Sequence, residues 1–175
     1  MLNVSFLVPG MRQEFGGCAG NIAYNLKKLG GDPLVLGAVF KDFSSYGTWM
    51  DKNQISRRYI SEVSDSFTAQ AFIITDSTGN QITAFHPGAM ENPNRRSISE
   101  INADFAIVSP DSKKAMVENC KQLSVANIPF IFDPGQGTSM FDGNELIELI
   151  SLSTWVIVNE YESKMIEAKL GFSSK

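Results

Sequence analysis

The sequence predicts an α/β fold with a mainly parallel sheet and a small antiparallel β lid, and three observations carry the prediction. Apolar runs of strand length alternate with amphipathic helical patterns through most of the chain. Nearly every such run ends in a polar or Gly/Pro cluster, the usual form of a loop after a parallel strand. Two further strand-like runs, 69–75 and 81–86, are separated by Asp76-Ser77-Thr78-Gly79-Asn80 and interrupt the alternation as a hairpin, with Gly79 available for a positive φ.

The chain has 175 residues, 43% of them hydrophobic, which is enough for one domain with a real core. Its net charge is −4, and no basic block exceeds a pair such as Arg57-Arg58 or Arg95-Arg96. A nucleic-acid surface needs a concentrated basic patch, so nucleic acid is excluded as a partner class. Cys18 and Cys120 have neither CxxC spacing nor the density of a disulfide framework, so reduced thiols and a cytoplasmic location are expected. Residues 1–9 lack the basic segment and cleavage site of a leader, and no segment approaches the length of a membrane span.

Taken in order, Leu2–Val8 has the β-branched and aromatic content of a strand, ended by Pro9-Gly10. A Gly-rich turn then precedes a helix with Ile22, Ala23, Leu26 and Leu29 at helical spacing, stopped by Gly30-Gly31. The continuous apolar run 33–40 has the pattern of a strand buried on both faces. Asp42–Asp51 is expected to be a helix capped by Asp42, with Phe43, Tyr46 and Trp49 as core. A short turn and strand follow at 55–63, then the hairpin, then a weak helical pattern at 93–102. Phe105–Val108, Ile128–Phe132 and Trp155–Val158 are the remaining strands, each followed by a helix: 113–125 with Met116, Val117, Cys120 and Leu123 inward, 144–152 with Leu146, Ile147, Leu149 and Ile150 inward, and one opened by Asn159 to Glu162.

The candidate site centres on Gly16-Gly17-Cys18-Ala19-Gly20-Asn21. Glycines ahead of a helix let backbone N–H groups approach a ligand, and the helix start adds partial positive charge. Asn21 adds a side-chain donor and acceptor, a combination that suits neutral hydroxyls better than phosphate alone; a plain loop-to-helix joint is the alternative. Ser109, Asp133, Asn159 and Glu162 all fall at or just past strand ends, where open α/β sheets bind ligands. His86 has no second ligand at metal spacing and is expected to be a turn residue, so no direct metal ligand is expected.

These features together resemble the ribokinase-like (PfkB) family of sugar and nucleoside kinases. Gly16-Gly17, Asn21, Ala23, Gly30 and the downstream apolar strand match its first signature, and Asn159-x-x-Glu162 matches its NxxE motif. Asp42-Phe43-x-x-Tyr46-x-x-Trp49-Met50, Thr68 to Phe72, Asn80 to Met90 and Phe132 to Gln136 resemble the bacterial adenosine-kinase-like branch.

The resemblance implies a three-layer α/β/α fold, as a single partial kinase domain over 1–175, with lid strands at about 2–9 and 67–87 and an α/β core at 16–66 and 91–175. It implies transfer of the ATP γ-phosphoryl group to the 5′-hydroxyl of adenosine or a related ribose-containing small molecule. Gly16, Gly17 and Asn21 would hold ribose hydroxyls, while Phe6, Ile82 and Ala84 would touch the base. Asn159 and Glu162 would organise Mg²⁺ and its waters near the phosphates, although a bare NxxE is also a common helix cap. A homodimer through the lid is a further implication.

The departures carry expectations of their own. No GAGD motif is present, so the catalytic base is expected beyond Lys175, and the chain by itself is expected to be inactive. Phe40 stands where the family commonly has Gly, and the first strand with its ribose-gripping Asp is expected before Met1. A non-catalytic nucleoside-binding or interaction module is the alternative from another class. A dinucleotide-binding oxidoreductase fails on spacing, since no GxGxxG follows the first strand.

Overall fold

The computed structural model describes residues 3, 5, 7–92 and 96–171. Of the strand expected over Leu2–Val8, residues 2, 4 and 6 lie outside the described residues, and residues 3, 5, 7 and 8 are not in a strand. Helix α1 (Cys18–Lys28) leads to β1 (Gly37–Val39), a short 3-10 turn and α2 (Ser44–Lys52), and β2 (Ile60–Glu62) pairs parallel with β1. The antiparallel hairpin β3 (Gln70–Thr75) and β4 (Gln81–His86) comes next. Then β5 (Ala106–Val108), α3 (Lys113–Val125), β6 (Phe130–Phe132), α4 (Gly143–Leu152), β7 (Trp155–Val156) and α5 (Glu160–Leu170) form two successive βαβ units with strand order β5-β6-β7, all parallel. The α/β class with a mainly parallel sheet and an antiparallel hairpin is therefore observed.

The larger core lies over β5-β6-β7. Met116, Cys120 and Leu123 of α3 and Leu146 and Leu149 of α4 enclose Phe130 and Phe132, with Phe141 edge-on to Phe132 at 6.2 Å between ring centroids. Burial pushes the Cys120 thiol up to about 12, so it packs as a small apolar group, as its place in the helical stripe predicts. Helix α3 has the bounds that its pattern predicts because Ser112 caps it, accepting a hydrogen bond from the Ala115 N–H at 3.3 Å. Asp142 and Glu145 close a capping box at the start of α4 in the same way. Lys169 of α5 donates to the carbonyls of Thr138, Ser139 and Phe141, fastening α5 to the 3-10 turn that follows β6.

A smaller core joins Ala23 of α1, Val35, Phe43, Met50 of α2 and Ile55. Here the structure corrects several expectations. Only Gly37–Val39 of the run 33–40 forms a ladder, with an isolated bridge between Leu34 and Ser56, and Leu34 is exposed rather than buried on both faces. Of the α1 stripe, Ala23 is buried and Ile22 half-buried, but Leu26 and Leu29 face solvent, because the described residues put no element against that half of the helix. Ile147 is likewise exposed on α4, and the weak helical pattern at 93–102 becomes a 3-10 turn at Ile98–Glu100, with 93–95 outside the described residues.

Asp42 does not cap α2. Its carboxylate instead accepts hydrogen bonds from the Thr68 N–H at 3.1 Å, the Thr68 hydroxyl and the Gln70 amide at 3.3 Å, while Thr68 Oγ1 accepts from the Phe40 N–H at 3.1 Å. The Phe67 carbonyl accepts from the Ala89 N–H at 2.8 Å, and a Cβ on Gly88 (φ +49°) would lie 2.1 Å from that carbonyl oxygen. The entering end of the hairpin is thus clasped to the loop after β1, and its leaving end is tied to the entering one. All twelve residues of β3 and β4 are exposed, so this clasp sets where the hairpin stands. The turn at its tip is self-contained: side-chain hydrogen bonds from Asn80 and Thr78, with their backbone N–H groups, hold the Asp76 carboxyl well below the usual carboxylate range.

Two outcomes follow. Asp42→Ala is expected to speed amide hydrogen exchange at Thr68–Phe72 and Ala84–His86 about tenfold, the loss of a net charged hydrogen bond or more, while the 76–80 turn is unaffected. Phe132→Ala is expected to destabilise the chain by ~3–5 kcal/mol in denaturant unfolding, because a fully buried ring is removed from a packed core.

Candidate functional site

The site is built at the carboxyl ends of the parallel strands. The ladder continues one step past β6: the Asp133 N–H donates to the Val108 carbonyl at 2.9 Å and the Ile157 N–H to the Phe132 carbonyl at 3.1 Å. This register carries Ser109, Asp133 and the Asn159–Glu162 segment to one end of the sheet, as their positions after strand runs predict. Burial first, and the neighbouring Glu162 carboxylate second, raise the Asp133 carboxyl above its ordinary range. Burial and then Asp133 raise the Cys18 thiol. The amino end of α1 therefore stands within electrostatic reach of Asp133, which links the Gly-rich turn to the strand ends.

The turn itself differs from the starts of α3, α4 and α5. Ser112, Asp142 and Asn159 each cap a helix with a side chain, whereas the residue at the head of α1 is Gly17, in the left-handed region at φ +88°, with no side chain to offer. The first-turn N–H groups of α1 are left without a side-chain cap. Asn21 lies three residues inside the helix rather than at its very start; its N–H donates to the Gly17 carbonyl at 3.0 Å, closing the first turn, and its own carbonyl accepts from the Asn25 side chain at 2.8 Å. Tyr46 of α2 holds the turn from outside by donating its hydroxyl to the Gly16 carbonyl at 3.0 Å.

Asn159 and Glu162 form a capping box. The Asn159 Oδ1 accepts from the Glu162 N–H at 2.9 Å, and the Glu162 carboxylate accepts from the Asn159 N–H at 2.9 Å and its Nδ2 at 2.8 Å. The pair is locked at the head of α5, and the Glu162 carboxylate acts electrostatically on Asp133.

The structure thus places Asn159 and Glu162 just past the carboxyl end of β7 and Gly16 and Gly17 at the head of α1, with Asn21 one helical turn along. Phe6 lies outside the described residues. Ile82 and Ala84 sit on the hairpin, where antiparallel register places Gln70, Phe72 and Ile74 beside His86, Ala84 and Ile82 on a common face. Gln70 reaches Asp42 from that face, so it is the face turned toward the loop after β1, and Ile73 and Phe85 lie on the reverse. Phe72 and Ile74 share the inward face but were not singled out; the period-2 pattern across the hairpin is the signal that finds them. In the sequence Asp133 is a strand-end residue and Tyr46 a core aromatic, each within a stretch that carries the family resemblance, and neither has a role in the site assigned there. His86 ends β4 edge-on to Phe67 at 6.1 Å, and among the described residues no cluster of three or more His, Cys, Asp or Glu side chains could hold a metal.

Comparison with known proteins bears on the family and the fold. The model of the family described as pfkB family carbohydrate kinase matches residues 2–173. A nucleoside kinase of Methanocaldococcus jannaschii is 30% identical over 97% of this chain and 57% of its own length. The structure of Burkholderia thailandensis nucleoside kinase in complex with inosine is similar at 48% identity and a TM-score of 0.91, covering 99% of this chain and 57% of that one. The same enzyme in complex with ADP-inosine gives 48% identity and a TM-score of 0.88 over 98% of this chain and 54% of that one. The chain spans somewhat more than half the length of these relatives. With the matched model running over almost its entire length and a ribokinase-type fold beneath it, the chain belongs to the pfkB family of carbohydrate kinases.

Proposed function

We propose that this chain carries the nucleoside side of an ATP-dependent phosphotransferase that phosphorylates the ribose 5′-hydroxyl of adenosine or a related ribonucleoside. The observation that carries the reading is the start of α1 at Gly17, which no side chain caps, with Cys18 in the field of Asp133. Gly16 and Gly17 supply backbone groups and Asn21 a side-chain amide for the ribose hydroxyls. Phe6, Ile82 and Ala84 contact the base, with Phe72 and Ile74 extending the apolar face of the hairpin. Residues 67–87 act as a lid over a core formed by 16–66 and 91–175. The B. thailandensis relative, solved with inosine, supports a purine ribonucleoside over a simple sugar.

Mg²⁺ is the implied metal, as a companion of ATP. The Glu162 carboxylate lies close enough to Asp133 to raise it, so this end of the sheet holds an excess of negative oxygen, which fits a hard cation. Asn159 and Glu162 would hold the ion through its waters, since their own groups are bonded to one another in the helix cap. When bound, Mg²⁺ neutralises charge on the transferring phosphoryl group. The chain's own contribution is to orient the acceptor hydroxyl and shield it beneath the hairpin. No residue of this chain is assigned as the base, because the sequence contains no GAGD motif.

No helix among the described residues is long and apolar enough to cross a membrane, and a cytoplasmic location accords with the proposed use of ATP. The outward face of the hairpin, with Ile73 and Phe85 exposed, fits a homodimer through the lid.

Calorimetric titration with adenosine and inosine is expected to give saturable binding, and Asn21→Ala to weaken it about tenfold, the loss of one net hydrogen bond or slightly more. Absence of saturable heat with either nucleoside would remove the reading. Incubation of the chain alone with ATP, Mg²⁺ and nucleoside is expected to yield no nucleoside monophosphate; robust turnover would show that a base lies within these residues. Binding without turnover would accord equally with a non-catalytic nucleoside-binding module. Sedimentation analysis is expected to show a dimer that Phe85→Asp dissociates.

A further inference from the structure

The aromatic residues Phe43, Tyr46 and Trp49 recur at three-residue spacing, and packing explains Phe43, which is buried in the smaller core. Packing does not explain the hydroxyl of Tyr46, since a ring alone would fill the space. That hydroxyl is used: it donates to the Gly16 carbonyl at 3.0 Å, while the ring stacks on Phe15 with centroids 4.7 Å apart and planes 10° from parallel. The phenol passes directly over Gly20, where an added Cβ would lie 1.9 Å from the Tyr46 oxygen. Glycine at position 20 is therefore the opening through which Tyr46 reaches the turn. Burial raises the Tyr46 hydroxyl above its ordinary range, which keeps it protonated as a donor.

The peptide joining Gly16 to Gly17 is trans, so its carbonyl and its N–H point to opposite sides of one plane. Fixing the carbonyl toward α2 turns the Gly17 N–H away from α2. Without that hydrogen bond the peptide is free to rotate, because both flanking residues are glycines and one already occupies φ +88°.

We propose that Tyr46 is a positioning residue for the sugar: by anchoring the Gly16 carbonyl it aims the Gly17 N–H at a ribose hydroxyl. The proposal rests on the reading of this turn as a ribonucleoside site, and it adds the group that sets the orientation of the turn.

The test uses inosine and 2′,3′-dideoxyinosine as calorimetric probes of the full chain and of two variants. Tyr46→Phe keeps the ring and removes only the hydroxyl; Gly20→Ala favours the helix and pushes the phenol out. Both are expected to weaken inosine binding about three- to tenfold, the range of one net hydrogen bond, and to leave 2′,3′-dideoxyinosine unchanged. Equal weakening of both ligands would show a merely structural role and overturn the proposal, as would an unchanged affinity for inosine. A second arm needs no ligand: amide exchange at Asn21, whose N–H is bonded to the Gly17 carbonyl, is expected to rise severalfold in Tyr46→Phe with exchange in α3 and α4 unaltered, and unchanged exchange at Asn21 would overturn the clasp. If the unsubstituted chain failed to bind inosine, the nucleoside reading would fall, whereas the exchange arm would still decide whether Tyr46 holds the turn.

Discussion

A helix leaves its first backbone N–H groups without partners inside the helix, and this constraint organises the molecule around α1. Ser112, Asp142 and Asn159 discharge it with side-chain caps at α3, α4 and α5. At α1 the corresponding residue is Gly17, whose missing side chain leaves those donors to water or a ligand. The surroundings are then arranged about that opening. Tyr46 holds the turn from the side of α2, and the extended register of β6 delivers Asp133 to its other side. Helix α2 also lacks a side-chain cap, but it continues directly from a 3-10 turn, so among the described residues α1 is the helix that starts uncapped from a loop.

The parts of the fold that were legible in the sequence are those fixed by neighbours in the chain. Helix α3 could be bounded from its apolar stripe, and the hairpin from two apolar runs around the Asp76–Asn80 turn, because both signals lie within a few residues. What was not legible depends on contacts across many residues. Asp42 has the position and chemistry of a cap, yet its carboxylate is taken by Thr68 and Gln70, 26 and 28 residues away, and no local pattern reports that competition. Tyr46 was legible as an aromatic at core spacing, but its bond to Gly16 spans 30 residues. Leu26, Leu29 and Ile147 show the converse: an apolar stripe marks the side on which a helix expects a neighbour, not whether one stands among the described residues. Of the site, Gly16, Gly17, Asn21, Asn159 and Glu162 were found through motif positions, while Asp133, Phe72 and Ile74 needed the register of the strands to join them to it.

The hairpin illustrates how stability and function divide along one segment. Its tip is fixed by Asp76 and its base by Asp42, but between these two carboxylates both faces of the ribbon are open to solvent. A two-stranded ribbon exposing Phe72, Ile73, Ile74, Ile82 and Phe85 buries too little apolar surface to hold a position through packing. Its attitude is therefore governed by the hydrogen bonds at its base, and it sits at the low-stability end of the fold, where lids are found. Each face has a distinct task available to it: the face with Gln70, Phe72 and Ile74 looks toward the loop after β1, and the reverse face looks away.

Electrostatics decide what the start of α1 can receive. A helix amino end ordinarily favours anions, and taken alone the Gly-rich turn would fit a phosphate. Asp133 changes that balance, because it stands near enough to Cys18 to raise the thiol, and Glu162 stands near enough to Asp133 to raise that carboxyl in turn. An anion brought to the turn would meet the field of these carboxylates and lose much of what the helix end offers. A neutral hydroxyl escapes the repulsion: it can accept from a backbone N–H on the side of the turn and donate to oxygen on the side of the strands. A cation gains from the same field where the carboxylates lie. The charge pattern therefore favours a neutral hydroxyl over an anion at the glycine turn, which is the chemistry that the proposed nucleoside site requires.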